Sequence, residues 1–337
     1  MNKLFERSFV VVGMMKKMIS ELPLKENRVK DAIQLFNKIT VIGYTCNVVT
    51  YGTMVDGLCK TGNVDQAIKL LNDMEKGNCK PNIVIYNAII DGLCKDKQIP
   101  KSQNLFEEMI SKGVAPDVFT YNSLIDGLCK VGRVAAAQEL FMEMQARGPS
   151  PDVYTYNALL DGLFTNASYE EAMRLFEKMD NDGLEADIVT YSTVIDNMCK
   201  SNNLDEAKKL FDSLPSMELK PDTQAFNIMI QGFMKKGLLQ ESENLLTEML
   251  DKGLTTPDNI TYNIMIRGFF QNNEIDKAVQ LLNDMVEKDF PLNATNTSSV
   301  KDVLAADGLE GKFIGLVDKI LSKRRSKGTV TTVELDV

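Results

Sequence analysis

Four cysteines, Cys59, Cys94, Cys129 and Cys199, stand at the same point of a recurring phrase, DGLCK or its variant DNMCK. A thiolate can ligate a metal or attack an electrophile, but either role needs partner groups close by. The sequence has no C-x-x-C pair, and its histidine count of 0 removes imidazole bases, histidine triads and the usual zinc ligand together. Cys46 and Cys79 fall in turns. Reduced, small core residues are the expectation for all six, which suits a reducing compartment, and neither a metal nor a cofactor is expected. Carboxylates offer general acid–base work, and Asp180 and Asp182 are the nearest candidates. They sit in a turn that recurs along the chain, so no catalytic residue is assigned and enzymatic activity is not expected.

The phrase around each cysteine extends further. IVIYNAIIDGLCK at 83–95 returns as VFTYNSLIDGLCK at 118–130, and its tyrosine recurs as Tyr51, Tyr86, Tyr121, Tyr156 and Tyr191, then Phe226 and Tyr262. The interval is 35 residues until a single inserted residue separates the last two. A sustained period of this length marks a solenoid of stacked supersecondary units and not the two or three domains that length alone would suggest. Counting from two residues before the Thr-Tyr pair gives seven repeats, 48–82, 83–117, 118–152, 153–187, 188–222, 223–258 and 259–293.

Within each repeat, apolar residues at positions four, seven, eight and eleven (Tyr121, Leu124, Ile125 and Leu128 in the third) trace one face of a helix. A second apolar series follows (Val134, Ala137, Phe141 and Met144), so each repeat is a helix pair. Glycine at position ten, from Gly57 to Gly268 with Asn197 as the exception, costs up to about 1 kcal/mol of helix propensity, and close packing is the expected return. Small residues on the second helix, Ala67, Ser102 and Ala137 among them, promise the same. A Gly-x-x-Pro-Asp turn or its relative, as at Gly113 to Asp117, ends each repeat, and its aspartate can cap the next helix. Residues 28–47 read as a second helix and its turn. Residues 1–47 and 294–337 are expected to be degenerate terminal repeats serving as caps.

Period 35, T-Y-N, D-G-L-C-K and a closing K-P-D or A-P-D resemble the pentatricopeptide repeat proteins, P class, and the I-D-G-L-C-K wording is similar to their restorer-of-fertility-like members. The resemblance covers about residues 28–293. It implies an all-α, right-handed superhelical solenoid that binds single-stranded RNA in mitochondria, or secondly in plastids, at one nucleotide per repeat. It further implies that position five and the last residue of each repeat read a base. Those readers are Asn87 with Asp117, Asn122 with Asp152, Asn157 with Asp187, Ser192 with Asp222, Asn227 with Asp258, and Asn263 with Asn293. Apolar residues at position two would wedge between bases: Val49, Val84, Phe119, Tyr154, Val189 and Ile260, with Gln224 a poor substitute. Lysines at position thirteen would meet phosphate: Lys60, Lys95, Lys130, Lys200 and Lys235. Thr165 and Gln271 break that ladder, and Gly52 with Asn82 matches no pairing. By the family's pairings the implied target is 5′-N-U-U-U-G-U-(C/U)-3′. Partners beyond RNA would be proteins of RNA processing, the chain itself a monomer.

The physical reading of these positions is compatible with that role. An asparagine amide offers a donor and an acceptor to a base edge, whereas a carboxylate only accepts. Position five lies one residue past the buried tyrosine, which predicts a side chain pointing away from the hairpin core. The net charge of −9 opposes diffuse coating of nucleic acid. Most glutamates, Glu107, Glu108, Glu139, Glu143, Glu170 and Glu171 among them, fall on second helices, while the lysine ladder falls on first helices, so a groove can still attract phosphate. Asp56, Asp91, Asp126 and Asp196 stand four residues before a ladder lysine and can pair with it. The longest apolar run, FVVVGMM at 9–15, is too short to span a bilayer. No nuclease domain is expected within the 44 residues after 293 (337 minus 293). A peptide-binding scaffold like the tetratricopeptide repeats is the alternative, and the 35-residue period, the recurrent Asn and a tryptophan count of 0 stand against it.

Overall fold

The computed structural model describes residues 33–34, 36–38, 46–251, 255–288 and 290. The expected degenerate ends lie almost wholly outside the described residues, as does Asn293. Within them, Phe36 is buried and meets the Tyr51 ring edge-on at 5.4 Å.

Every repeat is a helix pair, and among the described residues no strand occurs. The chain divides into two compact units between Glu185 and Ala186. The first contains α1 (Val48–Lys60), α2 (Val64–Lys76), α3 (Ile83–Lys95), α4 (Ile99–Ser111), α5 (Val118–Lys130), α6 (Val134–Arg147), α7 (Val153–Thr165) and α8 (Tyr169–Asn181). The second contains α9 (Ile188–Lys200), α10 (Leu204–Ser213) with a 3₁₀ turn at Leu214–Met217, α11 (Thr223–Lys235), α12 (Leu239–Asp251), α13 (Asn259–Gln271) and α14 (Ile275–Glu287).

Five of the seven odd-numbered helices start on a carboxylate, and α1 and α3 start on the side-chain oxygens of Asn47 and Asn82. Asp117 sits in extended backbone before α5 and accepts the Thr120 amide at 2.9 Å, while Thr120 Oγ1 accepts the Asp117 amide at 3.1 Å. The same capping box opens α7 at Asp152, α9 at Asp187 and α13 at Asp258. Each satisfies two amides that a helix start otherwise leaves unpaired. Between the two helices of a repeat the chain turns through the left-handed region at position fifteen, with φ of 58–77° at Gly62, Lys97, Gly132, Ala167, Asn202, Gly237 and Asn273. Glycine adopts that backbone without strain; Lys97 and Ala167 do not.

Stacking follows a single rule in both units. In the first, α1 packs on α3, α3 on α5 and α5 on α7; in the second, α9 packs on α11 and α11 on α13. Second helices pack on their own partner and on the following first helix, as α4 does on α5. The position-four ring completes that joint: Tyr121 meets Phe106 edge-on at 5.5 Å, Tyr156 meets Phe141 at 5.2 Å and Phe226 meets Phe211 at 5.1 Å. Such pairs add about 0.5–1.5 kcal/mol to the area they bury. Position-ten glycine does admit a close neighbour, and that neighbour belongs to the preceding repeat. Gly92 faces Cys59, Gly127 faces Cys94, Gly232 faces Cys199 and Gly268 faces Met234. The recurring cysteine is thus the small side chain that lets consecutive first helices approach.

Candidate nucleic-acid interface

Position two of each repeat lies on the first turn of a first helix, outside the apolar face, and no neighbour covers it. Val49, Val84, Phe119, Tyr154, Val189 and Ile260 are between 53 and 64% exposed. Phe119 and Tyr154 therefore do not pack between repeats. Gln224 takes the same exposed place on α11.

Position five lies deeper than its place after the tyrosine predicted. Asn87, Asn122, Asn227 and Asn263 are only 5–8% exposed, and Asn157 is half-buried. The amides of Asn87, Asn122 and Asn227 occupy the seam between consecutive first helices. Asn87 Nδ2 donates to Asp117 Oδ1 at 3.0 Å, and Asn122 Nδ2 donates to Asp152 Oδ1 at 3.1 Å. The first two of these reader pairs are thus brought together directly, and Asn227 with Asp258 more loosely at 3.4 Å. Ser192 is buried on α9, while Asp222 is exposed and caps α11 through the Ala225 amide at 2.8 Å; no hydrogen bond joins the two. Asn263 Nδ2 turns to the Asn259 carbonyl and side chain, at 2.6 and 2.8 Å. Asp187 caps α9 through the Thr190 amide at 2.8 Å. Asn82 caps α3 and Gly52 stands opposite it without a side chain.

Capping does not use up these aspartates, because a single oxygen takes both the cap amide and the asparagine amide. Asp117 Oδ1 receives the Thr120 amide and the Asn87 amide, and the Thr120 hydroxyl stands 2.9 Å from it. Burial pushes its carboxyl up, and those donors outweigh burial and hold it below the ordinary carboxylate value. Asp152 is held down in the same way by Thr155 and Asn122. The second oxygen of each remains an acceptor.

Between α1, α3 and α5 these groups border an open cleft of about 660 Å³, lined by Val84, Asn87, Asp117 and Phe119 and by Lys60 and Lys95. Apolar surface, amide, carboxylate and ammonium thus meet in one trough, although Asn87 shows it little more than an edge. The lysines are not free cations. Lys60, Lys95, Lys130 and Lys200 pair with Asp56, Asp91, Asp126 and Asp196 at 2.8, 2.6, 2.6 and 2.5 Å. Both partners are partly exposed, and such pairs contribute about 0–1 kcal/mol, so an arriving anion can displace them. At exposed Lys235 the residue one turn back is Gln231.

The Cys94 and Cys129 thiols are unsuited to chemistry. Burial pushes Cys94 up to about 11 and Cys129 to about 12, so neither forms a thiolate near neutrality. Among the described residues no cluster of three or more metal-binding side chains occurs, and no helix is long and apolar enough to cross a membrane. Asp182 receives the Tyr156 hydroxyl and is spoken for structurally.

The sequence profile of the PPR repeat family matches this chain eight times, at residues 14–60, 46–84, 81–130, 116–165, 151–200, 186–234, 221–271 and 257–299. The chain belongs to the PPR repeat family. Among solved structures it is similar to the pentatricopeptide repeat protein PPR10 in complex with an 18-nt psaJ RNA element, at 22% identity and a TM-score of 0.56, covering 93% of this chain and 50% of that one. A triple cysteine-to-serine form of PPR10, with the same RNA element, gives the same values. A further PPR10 structure, from maize, has 19% identity and a TM-score of 0.41, covering 95% of this chain and 59% of that one. The likeness is one of fold, a helical-repeat solenoid, and the chain spans about half the length of these PPR10 chains. No curated protein matches it. The threonine at position three, which the sequence did not single out, lies within hydrogen-bonding distance of both members of the Asn87–Asp117 and Asn122–Asp152 pairs.

Proposed function

We propose that this PPR protein binds single-stranded RNA at one nucleotide per repeat and has no chemistry of its own, acting in organellar RNA processing, stability or translation. The observation that carries the reading is the cleft between α1, α3 and α5, where exposed Val84 and Phe119 flank the Asn87–Asp117 pair. Apolar side chains that protrude at a fixed interval, with a hydrogen-bonding pair between them, suit a ligand that alternates flat faces and polar edges at a fixed interval. Stretched single-stranded RNA is such a ligand, and base stacking on exposed side chains contributes about 1–3 kcal/mol per base. The PPR10 structures in complex with an 18-nt RNA element share the fold and add support. The restorer-of-fertility-like assignment and a mitochondrial location belong to the same reading.

The target is 5′-N-U-U-U-G-U-(C/U)-3′, with the amino terminus at the RNA 5′ end. Uridine faces each Asn–Asp pair, guanosine faces Ser192 with Asp222, and the first base is unread opposite Gly52. The test is fluorescence anisotropy with a labelled U-rich 7-mer over a series of salt concentrations. Binding that weakens steeply with salt, and weakens further in Phe119→Ala and Tyr154→Ala, is expected. Absence of RNA binding together with capture of an extended peptide would overturn the reading in favour of a protein-binding scaffold.

A further inference from the structure

Two repeats show how a reader asparagine is held, and a third shows the same device out of register. Asn87 Nδ2 faces Asp117, and since a carboxylate can only accept, the amide nitrogen must be the atom turned toward it. The other end of the amide meets Thr120, the third residue of the next repeat: Thr120 Oγ1 lies 2.6 Å from Asn87 Oδ1. That hydroxyl already accepts the Asp117 amide at 3.1 Å, which leaves its single proton to donate. The arrangement repeats one unit along, where Asn122 Nδ2 is 3.1 Å from Asp152 Oδ1 and Thr155 Oγ1 is 2.6 Å from Asn122 Oδ1. Both threonines are fully buried.

Repeat six departs from this pattern. Its extra residue, in the turn holding Thr255 and Thr256, puts Asp258 31 residues after Asn227, against 30 in the other two pairs. The Asn227 Nδ2 to Asp258 Oδ1 distance stretches to 3.4 Å, and the Thr261 hydroxyl stays on Asp258 Oδ1 at 3.0 Å. Asn227 Oδ1 is left buried with no hydrogen-bond partner. All the residue types are present in repeat six, one residue further apart, and the clamp is not formed there.

We infer that the position-three threonine of the following repeat, Thr120 for Asn87 and Thr155 for Asn122, is a specificity-determining positioning residue that fixes which way round the reader amide presents its donor and acceptor. This rests on the RNA-binding reading above. Clamped at both ends, the amide keeps one N–H on the aspartate side and one oxygen lone pair on the threonine side. Uracil offers an N3–H donor beside a carbonyl acceptor, and cytosine offers the reverse, an N3 acceptor beside an N4 amine donor. An amide free to flip serves either base; a clamped one serves a single order. Thr120 and Thr155 therefore set the preference for uridine over cytidine opposite repeats two and three, and repeat six, lacking the clamp, discriminates poorly.

The test measures affinity for paired 7-mers carrying U or C at one position. Thr120→Val keeps the side-chain shape and lowers the U-to-C ratio opposite repeat two by about fivefold or more, without changing the ratio opposite repeat three. Thr120→Ser, which keeps the hydroxyl, restores it. Deletion of Thr256 works in the opposite direction: it returns repeat six to register and raises the ratio opposite base six. A purely structural role for Thr120 would weaken all RNAs equally and leave the ratios alone. Wild-type binding with ratios unmoved by Thr120→Val and by the deletion would overturn this inference and spare the RNA-binding reading. Failure of the wild-type chain to bind any RNA would overturn both.

Discussion

Cys94 on α3 and Gly127 on α5 touch so closely that a Cβ added to Gly127 would stand 2.7 Å from Cys94 Cβ. No real side chain tolerates that separation, so the stacking distance between first helices is set by the absence of one atom. Gly127→Ala gains up to about 1 kcal/mol of helix propensity and loses about 1–3 kcal/mol to overpacking. A net loss of stability is expected in urea denaturation. An unchanged or raised midpoint would show that the stack can widen freely.

Ala167 adopts φ of 61°, in a turn where Gly62, Gly132 and Gly237 hold equivalent places. A non-glycine residue there carries strain of about 1–2 kcal/mol, partly offset by the greater unfolded-chain entropy of glycine. Ala167→Gly is expected to stabilise by roughly 0.5–1 kcal/mol, read as a higher melting temperature.

Acid should loosen the repeat joints. Burial raises the Asp152 carboxyl, but the Thr155 amide and hydroxyl and the Asn122 amide hold it below its ordinary value, so the folded state binds its proton less readily than the unfolded chain. The stability this contributes is present above the unfolded value of about 3.9 and is lost as pH falls through the lower, folded value. Asp152→Asn is expected to lessen the loss of stability below about pH 4 in a urea series. An identical pH dependence in variant and wild type would contradict it.

Helix positions, caps and the exposed place of position two were legible because each is set within a few residues. Thr-Tyr-Asn after Pro-Asp spells a capping box, and the apolar spacing leaves Val84 or Phe119 off the buried face. What lay hidden depends on contacts about 30 residues apart. Thr120 reads locally as the partner of Asp117, and only the stacking of α5 on α3 brings its hydroxyl to Asn87. The burial of Asn87 was misjudged for the same reason: the helix turns it from its own hairpin, and the next repeat then covers it. Position ten announced a close approach without naming Cys94, and Lys97 and Ala167 conceal a left-handed turn that glycine elsewhere reveals.

Lys95 is held by Asp91 at 2.6 Å, inside the cleft. Asp91→Asn would release that ammonium for phosphate. Tighter RNA binding at low salt is expected, with a plot of log affinity against log salt steeper by about 0.7, the increment for one single-strand phosphate contact. No change in slope would assign Lys95 to helix stability alone.

The most direct measurement is a base-by-base scan of 5′-UUUUGUU-3′ against the wild-type chain. The repeats are expected to count bases one for one, so U-to-A at positions two, three or four weakens binding by about 1–3 kcal/mol each, while any base is accepted at position one. Equal affinity for all of these RNAs would contradict a reader built from Asn87, Asn122 and Asn157.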